Sequence, residues 1–308
     1  MRLFKTTILF FCLLSLWGCE ATDTSVNTDS GKLQIVATTG MIADALKEVV
    51  GDQAEVVALM GPGVDPHLYK ATQGDLKRLT DADAVFYNGL HLEGKMGEVL
   101  EKLARLKPVA AVADQLPEAR LINSTDYASA HDPHVWFDVS LWSEVVGIIG
   151  AEMGRIDPAN ASRYQANAKA YQEKLSTLHQ WVASEIQQIP EKQRVLITAH
   201  DAFEYFGQAY GIEVRGLQGI STVSEFGLRD VSELVDFIAD RGIKAVFVES
   251  SVPEKSLQAV VEGVKQREHT TQIGGTLYSD AMGAEGTEAG TYLGMVRANV
   301  RTIVEALR

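Results

Sequence analysis

Of the seven histidines in this 308-residue chain, four stand in polar loops marked by Pro or Gly rather than on apolar faces: His67, His131, His134 and His200. Two of these loops share Asp-Pro-His, as Val64-Asp65-Pro66-His67 after Gly61-Pro62-Gly63, and as His131-Asp132-Pro133-His134-Val135-Trp136. Proline fixes its own φ and biases the preceding residue to extended backbone. Each loop therefore projects its imidazole from a stiff support, as a preorganised ligand requires. A lone loop histidine is more often structural, but two equivalent Asp-Pro-His loops favour a shared purpose. His200 directly follows the β-rich run Val195 to Thr198, at the end of a strand where an α/β site is built. Asp280, in Leu277-Tyr278-Ser279-Asp280-Ala281-Met282-Gly283, adds a carboxylate from a Gly-bearing loop; alone it reads as a turn or helix-cap residue. Three imidazoles and a carboxylate complete the coordination of a borderline divalent ion such as Zn²⁺, or of Mn²⁺ when the carboxylate is bidentate. Imidazoles of ordinary pKa, near 6.5, predict that binding weakens steeply below about pH 6, because protons compete at each ring.

The elements that must carry these residues are legible as alternating patterns. Short β-rich runs and amphipathic segments succeed one another at Gln34 to Thr38, Met41 to Val50, Ala54 to Leu59, Leu76 to Ala82 and Ala84 to Tyr87. This alternation predicts parallel βα units. Ser140 to Arg155 has helical spacing and is broken by Asp157-Pro158. From Asn160 to Ile189 there is no Gly or Pro, and Tyr164, Ala168, Tyr171, Leu175, Leu178 and Val182 recur every three or four positions. At about 1.5 Å per residue this predicts a helix on the order of 40 Å long, a rigid spine. A second series follows: Val195 to Thr198, Ala202 to Tyr210, Glu213 to Gly216, Leu228 to Ala239, Ala245 to Val248, Ser256 to Lys265 and Tyr292 to Leu307.

The expected fold class is therefore α/β: two lobes with mainly parallel sheets, at 33–158 and 191–308, joined by one long helix at 159–190. Ligands of such folds bind where strand carboxyl ends and their loops face each other. His67 and His134 fall in the first lobe, His200 and Asp280 in the second, so one ion in the interlobe cleft would tie the lobes together. A single helix in place of a multi-strand hinge predicts only modest lobe movement.

The first residues contain Arg2 and Lys5 and then the apolar run Ile8 to Leu16, too short to span a bilayer, which reads as an export signal at 1–18. Cys12 would leave with it, making Cys19 the only mature cysteine and excluding an intrachain disulfide. Residues 19–32 have the Thr, Ser, Asp and Gly content of a flexible tether. The formal charge of −13 becomes −15 once Arg2 and Lys5 are removed, which disfavours nucleic acid and anionic lipid as partners. The chain has neither the zinc-protease His-Glu-x-x-His nor the nucleophile elbow Gly-x-Ser-x-Gly, and no enzymatic activity is expected.

Together, Gly-Pro-Gly-Val-Asp-Pro-His67, His-Asp-Pro-His134-Val-Trp, Ala-His200-Asp-Ala-Phe-Glu-Tyr-Phe, Phe247-Val-Glu-Ser-Ser and Ser-Asp280-Ala-Met-Gly resemble the motifs of the TroA-like zinc/manganese-binding lipoproteins of bacterial ABC importers, over essentially the whole mature length. Leu16-Trp17-Gly18-Cys19 is similar to a lipobox, with Trp17 an unusual member, and implies lipidation at Cys19. The resemblance implies an extracytoplasmic, membrane-anchored, monomeric protein that captures one divalent ion and delivers it to an ABC permease. It implies His67, His134, His200 and Asp280 as ligands, His131 beside them, and Glu249 below the site, orienting a ligand imidazole. A metal-dependent hydrolase and a surface adhesin are the alternative readings. Many dedicated zinc members carry a long His- and acid-rich loop between the first two ligands, whereas Ala113 to Ala130 has no His. Many manganese members carry Glu where His200 stands. The Ser-Asp-Ala-Met-Gly and Gly290-Thr-Tyr-Leu-Gly-Met stretches resemble manganese members, so manganese is the expected cargo, with zinc also bound.

Overall fold

The first lobe is built from β1 (Leu33–Ala37), α1 (Gly40–Val50), β2 (Ala54–Ala58), α2 (Gln73–Asp81), β3 (Ala84–Tyr87), α3 (Gly97–Ala104) and β4 (Val109–Ala111). Its four strands are parallel in the order β2-β1-β3-β4. Val36 and Ala37 are buried along with Ile35, as expected for a parallel strand covered on both faces. In α1, Met41, Ile42, Ala45, Leu46, Val49 and Val50 form the buried stripe, and Gly51 ends the helix at a φ of 57°. Thr72 starts α2 with a capping box, its hydroxyl accepting from Asp75 N while Asp75 accepts from Thr72 N; such caps contribute about 1 kcal/mol.

This computed structural model describes residues 31–124 and 130–308. The expected export signal, Cys19 and nearly all of the tether lie outside the described residues. No helix among the described residues is long and apolar enough to cross a membrane.

After α4 (Val139–Ile156) and α5 (Ala161–Ile186), the second lobe contains β5 (Val195–His200), α6 (Glu204–Tyr210), β6 (Glu213–Gln218), α7 (Leu228–Arg241), β7 (Ala245–Glu249), α8 (Lys255–Gln266), β8 (Gln272–Leu277) and α9 (Tyr292–Leu307). Its parallel sheet runs β6-β5-β7-β8, the same order as the first. In both sheets the order reverses beside the first strand, between β1 and β3 and between β5 and β7, the switch points at which α/β sheets open a crevice.

The long helix α5 has 26 residues, about 39 Å of rise. It is embedded rather than free-standing. Tyr164, Ala168, Tyr171, Leu175, Leu178, Val182 and Ile186 are buried, and the helix packs on α1, α4, α6 and α9. Gly150 of α4 allows the close approach, since a Cβ there would lie 2.9 Å from that of Ala168. One apolar core consequently runs from Ile35 and Leu46 through Trp142, Tyr171 and Leu178 to Phe247, Tyr292 and Leu307. Residues 32–308 form one compact unit around it.

Polar contacts stitch the same seam near the cleft. Trp136 Nε1 donates to Ser279 O (3.0 Å), the Tyr292 hydroxyl to Trp136 O (2.7 Å), and the Tyr205 hydroxyl to Asp132 O (3.0 Å).

Candidate metal centre

Both Asp-Pro-His loops fold by the same local device. Asp65 Oδ1 accepts from His67 N at 2.8 Å, and Asp132 Oδ1 accepts from His134 N at 2.9 Å, so each aspartate closes a turn around its proline. Their surroundings differ. His67 lies between β2 and α2, in a loop reached through Gly63 at a φ of 71°. His134 precedes a 3-10 turn whose Val135, Trp136 and Phe137 are all buried, and α4 follows directly. His200 is the last residue of β5, a strand two residues longer than the apolar run predicts. Glu249 ends the neighbouring β7, and the Thr198–Phe247 register places the two side by side at the switch point. Asp280 follows β8, where Asn299 of α9 holds Tyr278 by both backbone groups, at 2.9 and 2.7 Å.

The structure brings His67, His134, His200 and Asp280 together with one ligand atom from each within 4.8 Å of the others. Their exposures are 4, 0, 0 and 2%. All three imidazoles present Nε2: His67 to His134 is 3.4 Å, His134 to Asp280 Oδ1 3.4 Å, His200 to Asp280 Oδ2 3.4 Å and His67 to Asp280 Oδ2 3.7 Å. A tetrahedral ion with bonds of about 2.0–2.1 Å has ligand–ligand edges of roughly 3.3 Å, so the cluster has the size of a single coordination shell. Asp280 Oδ1, Asp280 Oδ2 and His200 Nε2 are buried with no hydrogen-bond partner among the described residues, which is costly unless a cation satisfies them.

Behind the cluster, Asp132 Oδ1 lies 2.7 Å from His134 Nδ1, and Glu249 Oε2 lies 2.5 Å from His200 Nδ1 while its Oε1 accepts from His200 N (2.8 Å). These carboxylates direct the remaining ring nitrogen of each histidine into the site. No carboxylate of the described residues is in ion-pair contact with Nδ1 of His67. The electrostatics follow from that difference. Burial pushes the His67 imidazole down to about 3, with Asp280 opposing and the other two rings assisting. Burial also works against charge on His134, but Asp132 and Asp280 outweigh it and push the ring up to about 9. His200, buried likewise, is held well above its ordinary value by Glu249 and Asp280. For Asp280, burial opposes ionisation, yet His200 and His134 hold it well below the usual carboxylate range.

His131, expected beside the ligands, forms an isolated antiparallel bridge with Asn123 and lines a cavity next to His67, with its Nδ1 unpaired among the described residues. Its neighbour Asp132 is the residue that backs the His134 ring. The sequence signal for Asp132 was the repeated Asp-Pro-His itself, but which aspartate turns toward its histidine is a matter of loop packing. Gly89-Leu-His-Leu-Glu-Gly94-Lys95 has the spacing of a phosphate-binding loop as far as its lysine. Met96 replaces the required Ser or Thr, and buried Glu93 accepts from Asn88 N (2.8 Å) and Gly89 N (3.2 Å), placing an anion where a phosphate would sit.

Two lobes of identical sheet order with a buried three-histidine, one-aspartate cluster between them define a two-lobed α/β cation-binding protein. The family model described as zinc-uptake complex component A, periplasmic (ZnuA) matches residues 35–306, and the chain belongs to that family. Similar proteins include the manganese-binding lipoprotein MntA of Bacillus subtilis (strain 168), 53% identical over the full length of both chains. The zinc-binding protein TroA of Treponema pallidum (strain Nichols) is 48% identical, over 90% of this chain and 89% of its own. The solved structure of the Treponema pallidum periplasmic zinc-binding protein TroA superposes with a TM-score of 0.87, covering 90% of this chain and 99% of that one.

Proposed function

We propose that this protein captures one divalent transition-metal ion, Mn²⁺ or Zn²⁺, outside the cytoplasmic membrane and delivers it to the permease of an ABC importer. His67, His134, His200 and Asp280 are its ligands in this reading, and the observation that carries it is the convergence of three Nε2 atoms and one carboxylate with the edge lengths of a single coordination shell. Asp132 and Glu249 set the tautomer and orientation of two of the rings. Four protein ligands leave no open position for an activated water, unlike a catalytic zinc site, so the hydrolase reading has no support here. Nor does anything in the family relationship favour an adhesin.

Manganese is the favoured cargo. MntA is named for manganese, and both Asp280 oxygens face imidazoles, Oδ1 toward His134 and Oδ2 toward His67 and His200, which suits a bidentate carboxylate and a fifth bond. Zn²⁺ still binds more tightly in absolute terms, by the general affinity order of divalent ions. A lipid on Cys19 and a monomeric state complete the proposal. Elemental analysis of protein purified without added metal or chelating tags tests it, with one ion per chain expected. Full occupancy retained in His134→Ala would remove the basis for the site.

A further inference from the structure

The four side chains of the cluster are not held equally. His134 is backed by the buried turn Val135–Phe137, His200 by the sheet, and Asp280 by Trp136 and Asn299 through its neighbours. His67 comes from a loop in which Gly61, Pro62, Gly63, Leu68 and Lys70 are exposed. It lines a cavity of about 460 Å³ together with Leu90, His91, His131, Ile220 and Val223, a cavity that His134, His200 and Asp280 do not line. Among the described residues, Asp65 gives the loop a polar tie to the second lobe. Its Oδ1 accepts from His67 N (2.8 Å) and its Oδ2 accepts from the Thr222 hydroxyl at 2.6 Å. Thr222 lies between β6 and α7, and its carbonyl is in turn held by Gln218 Nε2 at the end of β6 (2.7 Å). One carboxylate thus fixes the backbone of His67 on one side and bridges the cleft on the other. Asp132, its counterpart in the second Asp-Pro-His, uses its Oδ1 for both the backbone N–H and the ring of His134.

We infer that the Asp65–Thr222 hydrogen bond is a latch: it holds the His67 loop against the second lobe and thereby sets how fast the bound ion leaves. The inference rests on the reading of His67 as a metal ligand. The shared core through α5 resists opening of the lobes as bodies, so an exit through displacement of the least supported ligand loop requires the smaller rearrangement. A short hydroxyl-to-carboxylate hydrogen bond is of the charge-assisted kind, strong enough for its loss to change an opening equilibrium about tenfold.

Thr222→Val removes the hydroxyl while keeping the shape, and Thr222→Ser keeps the hydroxyl. Stopped-flow transfer of Zn²⁺ or Mn²⁺ from loaded protein to excess chelator measures release. Thr222→Val is expected to release the ion about tenfold faster, with Thr222→Ser within about twofold of the parent and one ion per chain in all three. In metal-free protein, amide hydrogen exchange of His67 and Leu68 should accelerate in Thr222→Val alone. Release from Thr222→Val at the parent rate overturns the latch. A His67→Ala variant that binds and releases the ion as the parent does would instead overturn the ligand assignment on which it stands.

Discussion

Proton release on metal binding is set by the unequal surroundings of the three imidazoles. With pKa values near 6.5 on all three rings, metal binding at pH 7 would displace about 0.7 proton in total. The metal-free site is different: His134, raised to about 9, and His200, raised well above its ordinary value, each carry a proton at pH 7, whereas His67, lowered to about 3, carries none. Asp280 is already ionised and releases nothing. A raised imidazole is protonated below its pKa and the ion must displace that proton, so affinity rises with pH until the pKa is passed. About two protons should therefore leave per ion at pH 7, and affinity should change about a hundredfold per pH unit, about 2.7 kcal/mol, between pH 6 and 8. The steep region lies higher than the pH 6 boundary expected from unperturbed rings, because carboxylates stand behind two of them. Calorimetry in buffers of different ionisation enthalpy counts the protons directly. Glu249→Gln should lower the count to about one and weaken binding about 10- to 100-fold, since His200 loses both its counter-charge and its orientation. A parent count below about one proton at pH 7 would refute the assignment of two charged imidazoles to the metal-free site.

Three further outcomes are expected. At His200, replacement by Glu supplies a harder anionic oxygen and should narrow the zinc-over-manganese affinity gap while keeping one ion per chain, whereas His200→Ala should weaken both ions; titration with each metal checks this, and unchanged binding in His200→Ala removes it from the site. Metal loading should leave the radius of gyration nearly unchanged in small-angle scattering, because the lobes share the core around α5, and a large compaction would contradict that rigidity. Mass spectrometry of the membrane fraction should find Cys19 acylated at the mature N-terminus; a freely secreted chain beginning elsewhere would rule out the anchor.

Local signals in the chain determined much of this protein by themselves. Ala84 to Tyr87 was legible to the residue and Tyr292 to Leu307 approximately, because the strand is a short β-branched and aromatic run and the helix a sustained apolar stripe. The spine was legible because long spacing without Gly or Pro leaves few alternatives, although it closes at Ile186 rather than Ile189. The candidate ligands could be singled out because Pro, Gly and strand ends mark where side chains are presented. Less local features were not legible. α3 buries only Leu100 and Leu103, and β4 has three residues, too little periodicity to stand out from loop. Only the tertiary structure decided that α5 is part of one shared core, since its partners come from α1, α4, α6 and α9. It alone also decided which carboxylate serves which ring. Asp65 and Asp132 sit in the same tripeptide and each accepts from the backbone of its own histidine, yet one also reaches Thr222 across the cleft and the other the ring of its histidine. A tripeptide fixes backbone direction, but the partner of a side-chain oxygen depends on the lobe packed against it.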